Sequence, residues 1–126
     1  MANIIINIVG VCGSGKSTLA KGLQALGYDA QQVAQEHSGV PDLWRRRHPA
    51  AALVYLDASG PVLRQRYPDL DLHDAYLAVE RQRLDHARQH ADCYLFTDDL
   101  TPAQVIGAVC ECLVRLGLPP PKRAPI

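Results

Sequence analysis

The chain has 126 residues, of which 13 are basic and 13 acidic, with 48% hydrophobic and 21% charged content. That length suits one ordinary domain able to remove roughly two thirds of its unfolded surface from water, and the hydrophobic share excludes an intrinsically disordered chain. A formal net charge of zero removes any overall field that would draw nucleic acid or an anionic membrane, so neither is expected as a partner.

In chain order, Met1-Ala2-Asn3 runs into an apolar stretch too short for a membrane span and lacks the charged start of a signal peptide, so a cytoplasmic protein is expected. Ile4-Ile5-Ile6-Asn7-Ile8-Val9 is an almost unbroken β-branched run, the pattern of a central strand buried on both faces of a parallel sheet. After a glycine-rich turn, Leu19, Leu23 and Leu26 recur at helical spacing and Gly27 supplies a left-handed stop, which predicts a helix from Lys16 to Leu26. Residues 28–33 form a short second strand in this reading. Residues 35–47, with Trp44 and Arg45-Arg46-Arg47, read as irregular or helical and end before Pro49.

Ala52-Leu53-Val54-Tyr55-Leu56-Asp57 is a second buried-strand run, closed by Ser59-Gly60-Pro61 and followed by a helical piece from Pro61 to Tyr67. Residues 71–90 carry Leu77, Leu84 and Ala87 along one side, continued by Ala91, and are expected to form the longest helix. Cys93-Tyr94-Leu95-Phe96-Thr97 is the last strand. Thr101-Pro102-Ala103-Gln104 resembles a capping box with proline at the first helical position, and opens a helix expected to face the core through Val105, Val109, Cys112 and Leu116. Gly117 ends that helix, and a proline-rich tail over 119–126 is expected to be extended or disordered. Strands alternating with helices imply right-handed crossovers. The fold expected is α/β, one domain over residues 1–118 with a parallel sheet of about four strands flanked by helices.

The cysteines at 12, 93, 110 and 112 show none of the paired spacings of zinc or redox motifs. Cys110 and Cys112 point about 200° apart on a helix and cannot jointly grip a metal. All are expected to be free thiols, mostly buried, with Cys12 distinguished by its place inside the glycine-rich turn, where it is open to oxidation.

That turn carries the chemistry. Gly10-Val11-Cys12-Gly13-Ser14-Gly15-Lys16-Ser17 satisfies G-x-x-x-x-G-K-[ST] between a strand and a helix. Its glycines let backbone amides turn inward, the positive end of the following helix adds to them, and Lys16 supplies a mobile point charge for the β- and γ-phosphates. Ser17 offers a hydroxyl to Mg²⁺. Gly10, Cys12, Gly13, Ser14, Gly15, Lys16, Ser17 and Thr18 are therefore the expected nucleotide-binding residues, with Mg-ATP as the ligand.

Asp57-Ala58-Ser59-Gly60 matches the D-x-x-G of GTPases, yet no lysine lies between Lys21 and Lys122, which excludes the N-K-x-D element that reads guanine. Asp57 remains a candidate Mg²⁺ acid, the alternative being a loop aspartate that caps the next helix. Glu36, beside His37, is a candidate general base or a second candidate Mg²⁺ acid, against a surface helix start where acids are favoured anyway. Trp44 with the adjoining arginines reads either as an anion clamp or as a ring sealing the core edge. His86 and His90 have i, i+4 spacing but no acidic third ligand at a recognised offset.

The order of features, a phosphate loop near the start, Leu53-Val54-Tyr55-Leu56-Asp57-Ala58 in the middle and Ala91-Asp92 running into the last strand and helix, resembles the small metabolite kinases of the P-loop NTPase superfamily. Nucleoside monophosphate kinases and shikimate-type kinases are similar. The resemblance implies a three-layer P-loop fold and an arginine-bearing lid that closes over ATP, and Arg64, Arg66, Arg81, Arg83 and Arg88 occupy the comparable stretch. Arg81 and Arg88, seven apart, share a helix face and are candidates to steady the transferred group. Two departures stand out: residues 35–51 leave little room for both an extra strand and an acceptor lobe, and the lid, residues 59–71, is short. The function expected is transfer of the ATP γ-phosphate to a small acceptor. The alternatives are a nucleotide-binding switch with little turnover, or a slow ATPase that works as a homo-oligomer and takes an arginine from its neighbour.

Overall fold

The computed structural model describes residues 4–46 and 49–121. Arg47 of the basic run, the first three residues and the tail from Lys122 onward lie outside them. Four strands, β1 (Ile5–Gly10), β2 (Asp29–Gln32), β3 (Ala52–Asp57) and β4 (Cys93–Phe96), form one sheet in the order β2-β1-β3-β4. Every pairing is parallel, as the β-branched runs and the intervening helices require. β1 and β3 occupy the centre, and their residues are almost wholly buried.

Strand alternation sends side chains to two separate cores. On one face Ile6, Ile8, Val54 and Leu56 pack with Leu19 and Leu23 of α1 (Lys16–Ala25) and with Val105, Val109 and Leu113 of α6 (Pro102–Arg115). On the other, Val9, Leu53 and Tyr55 pack with Leu63 of α3 (Gly60–Arg66), Leu77 of α4 (Asp74–Arg83) and Ala87 of α5 (Asp85–His90). The sheet is thus flanked by helices on both faces. Between β2 and β3 the chain makes a 3-10 turn, Gln35–His37, and a one-turn helix, α2 (Leu43–Arg46). No helix of the described residues is long and apolar enough to cross a membrane.

Several expectations need correction. The single long helix over 71–90 is two helices, because the Leu84 N–H is shared between the Glu80 and Arg81 carbonyls and the ladder resets there. The chain before Asp74 is excluded from α4 by His73, whose Nδ1 accepts the Tyr76 N–H at 3.2 Å as an N-cap. The longest helix is instead the 14-residue α6. It opens with the full capping box: Thr101 Oγ1 accepts the Gln104 N–H while Gln104 Oε1 accepts the Thr101 N–H. Its core face is carried by the expected Val105 and Val109 together with Cys110 and Leu113, Cys112 packs against that core partly buried, and Leu116, expected inside, is exposed. Cys112 is bonded to Cys93, so two of the four expected thiols form a disulfide that ties α6 to β4. Cys12 and Cys110 are free. The tail begins anchored, with the Tyr28 hydroxyl donating to the Pro119 carbonyl at 3.0 Å.

Candidate functional site

All four strands run the same way, so their carboxyl ends share one edge of the sheet. The glycine-rich loop leaves β1 at that edge and enters α1 at Lys16. Gly13 and Gly15 have φ of 85° and 106°, left-handed values that a side chain resists. A Cβ at Gly13 would also stand 2.9 Å from the Tyr67 ring, so the glycine there serves both backbone conformation and packing. Within the loop, Ser14 N–H donates to the Val11 carbonyl at 3.1 Å.

Lys16 is 9% exposed. Its ammonium donates to the Gly10 carbonyl at 2.7 Å, the Val11 carbonyl at 3.1 Å and Glu36 Oε2 at 2.5 Å. Glu36 arrives because β2 lies directly beside β1 and the 3-10 turn after it curls back over the loop. Two side chains hold that turn. Gln35, wholly buried, donates to the Val40 and Arg83 carbonyls and accepts the Trp44 N–H, and Arg83 donates to the Glu36 carbonyl. Glu36 itself is 4% exposed and its Oε1 has no hydrogen-bond partner among the described residues.

A hollow of about 240 Å³ opens here, lined by Cys12, Gly13, Gly15, Lys16, Ser17, Thr18, Gln32, Glu36 and Tyr67. A second groove of about 190 Å³ continues on the far side of the loop, between Gly13, Ser14, Gly15 and Thr18 and the residues Leu19, Arg66, Tyr67, Thr97, Leu100, Pro102 and Val105. Tyr67 borders both. Arg66 is fixed over the second groove by bonds to the Thr97 carbonyl and hydroxyl at 2.7 and 3.1 Å and to the Gly13 carbonyl at 3.3 Å.

The expected residues therefore divide. Lys16, Ser17, Thr18, Cys12 and Glu36 come together, whereas Asp57, Arg81 and Arg88 line neither hollow. Asp57 ends β3 and is engaged in other contacts: Oδ1 accepts from the Ala58 N–H at 2.8 Å and from Arg81 at 3.3 Å, and Oδ2 accepts from the Tyr94 hydroxyl at 3.2 Å. Arg81 also donates to the Ala58 carbonyl. Arg88 lies 5.2 Å over the Tyr94 ring, which stacks on Tyr55. Burial first, and the Asp57 charge second, raise the Tyr94 hydroxyl above its ordinary value and push the Tyr55 hydroxyl well above it. Asp57, which is buried, and the partly exposed Arg81 and exposed Arg88 thus brace β3, β4 and the α4–α5 pair together.

Trp44 packs against the second core, its indole N–H donating to His86 Nδ1 at 3.1 Å, and Arg45 and Arg46 pair with Asp42. The reading of Trp44 as a core-edge ring fits these contacts. The His86 ring accepts from that indole and His90 Nδ1 bonds to the His86 carbonyl, and no group of three metal-binding side chains exists among the described residues.

One site residue escaped the sequence. Glu80 on α4 is 0% exposed, and its Oε1 accepts the Cys12 N–H at 2.9 Å, across 68 residues of chain. Its position among Leu77, Leu84 and Ala87 on the buried side of the helix pair was the available signal. A buried carboxylate beneath the loop also explains Cys12, whose thiol pKa is pushed up by burial first and by Glu80 next, with Lys16 opposing. No protein-family model matches this chain, and no curated protein matches it.

Proposed function

We propose that the chain is a P-loop protein with a three-layer fold that binds a magnesium-complexed nucleoside triphosphate, ATP in the first instance, and transfers its γ-phosphate to a small acceptor. The observation that carries this reading is the convergence of Lys16, the Ser17 hydroxyl and a buried, partly unpaired carboxylate, Glu36, on one hollow at the strand ends. Phosphates suit the loop because inward amides and a helix N-terminus concentrate partial positive charge there. Oxygen donors from Ser17 and Glu36 fit Mg²⁺, which takes one or two protein oxygens and completes its shell with phosphate and water. Bound there, the ion would neutralise charge on the β- and γ-phosphates. Glu36 is preferred to Asp57 for this because the oxygens of Asp57 are already hydrogen-bonded to Ala58, Arg81 and Tyr94.

The adjoining groove suits the base and sugar, with apolar walls from Leu100, Pro102 and Val105 and the Arg66 guanidinium above. Among the described residues no arginine lines the phosphate hollow, and those between β2 and β3 form a 3-10 turn and a one-turn helix. Those two facts favour, as a second reading, a nucleotide-binding switch with little turnover. The decisive experiment is melting temperature with Mg²⁺ and ATP, ADP, GTP or AMP for the wild type and for Lys16→Ala. A nucleotide-dependent rise that Lys16→Ala abolishes is expected, since selective binding stabilises by mass action. The same rise in Lys16→Ala would sink the site assignment. Formation of ADP on adding an acceptor separates the kinase from the switch.

A further inference from the structure

Lysine has three ammonium donors and no acceptor, and in Lys16 all three are used inside the protein, on the Gly10 carbonyl, the Val11 carbonyl and Glu36 Oε2. The pair with Glu36 is the shortest of the three and the only one to a charge, with side chains 10% and 5% exposed. We infer that Glu36 is a specificity-determining residue that makes the site select the metal-complexed nucleotide over the free one, by holding Lys16 until a cation takes its place. The inference rests on the nucleotide reading above and adds to it.

A phosphate oxygen can reach Lys16 only if one of the three bonds opens. Surrendering the Glu36 contact leaves a buried carboxylate that faces an anionic ligand with only the half-exposed His37 ring, Nε2 at 3.9 Å from Oε2, beside it, which is costly twice over: through the lost lysine pairing and through repulsion in a poorly solvated place. A free nucleotide meets that penalty in full. A magnesium complex does not, because the ion presents its positive charge to the carboxylate as the ammonium departs. Lys16 and the cation thus exchange partners on Glu36. Oε1 of Glu36, without a partner among the described residues, would be free to accept an ion while Oε2 still holds Lys16. Nucleotide and Mg²⁺ then bind with a coupling that is reciprocal by thermodynamic necessity.

The test is calorimetric titration of the 126-residue wild-type chain, Glu36→Gln and Glu36→Ala with ADP, in EDTA and in Mg²⁺, with melting temperature recorded for each variant. Wild type is expected to bind ADP at least tenfold more tightly with Mg²⁺ than with EDTA. The variants are expected to gain fivefold or more for metal-free ADP and to lose most of the Mg²⁺ enhancement, Glu36→Ala more completely than Glu36→Gln, which keeps a neutral acceptor for Lys16. Unchanged or weaker metal-free binding in both folded variants overturns the inference, as does a Mg²⁺ enhancement of wild-type size in either. If the wild type binds ADP in neither condition, the nucleotide reading itself has failed, a result distinct from nucleotide binding that is blind to the metal. Should both Glu36 variants unfold, Ser17→Ala decides: retention of the full enhancement shows that no ion is handed over in this hollow, and the inference falls.

Discussion

At the scale of single residues, the site is governed by where charge is buried. Glu80 has no solvent contact, and its Oε1 accepts a loop amide, Cys12 N–H. Replacing it by alanine leaves that amide without an acceptor and opens space in a core shared with Leu77 and Leu84. The expected cost is about 1–3 kcal/mol in urea unfolding, whereas Glu80→Gln, which keeps the accepting oxygen, should retain most of the stability. Equal losses in the two variants would mean that charge, not the hydrogen bond, is what matters at this position. Lys16 and the glycines were legible from the sequence because each has a fixed local spacing. Glu36 was legible as an acid after a parallel strand. Glu80 was not, because its contact spans 68 residues and depends on the path of two intervening helices. Asp57 matched a local pattern, but a pattern does not reveal that Arg81 and Tyr94 reach it from elsewhere in the chain.

Among the elements, the strands were read almost residue for residue, since β-branched runs bounded by turns specify a buried parallel strand with little help from tertiary context. Helix ends and seams were less visible. The break at Leu84 comes from one shared N–H, and no helix breaker marks it in the sequence. The Cys93–Cys112 bond was hidden for a related reason: pairing depends on α6 docking beside β4, and cysteine spacing alone does not report docking. It closes a segment with a sequence separation of 19, for which chain entropy gives about 3 kcal/mol of stabilisation. Reduction, or Cys112→Ala, should lower stability by about that amount, measured as a lower urea midpoint with an equal or steeper slope, because the unlinked chain unfolds to a more expanded state. A midpoint insensitive to reductant would show that the bond does not form in solution. Because disulfides persist in oxidising surroundings, this measurement also bears on the compartment expected from the start of the chain.

For the whole molecule, the titrating groups with raised pKa values all point one way. Burial is the leading cause for Cys12, Cys110, Tyr28, Tyr55, Tyr76 and Tyr94. Each keeps its proton in the fold at a pH where the unfolded chain has begun to lose it. Their contribution is complete below the ordinary thiol and phenol values, about 8.5 and 10, and drains away as pH climbs through the raised ones. Melting temperature should therefore decline from about pH 8.5 upward, first through the thiols and more steeply once tyrosines ionise. A flat profile to pH 11 would contradict the burial of these groups.

The anchoring of Pro119 on Tyr28 also sets the directions in which the molecule faces the outside. Tyr28 immediately precedes β2, at the amino edge of the sheet, while the loop, Glu36 and Arg66 crowd the carboxyl edge. Pro119 is therefore held on the side facing away from both hollows. A reporter group placed at the exposed Pro120 would stand at the edge opposite both hollows.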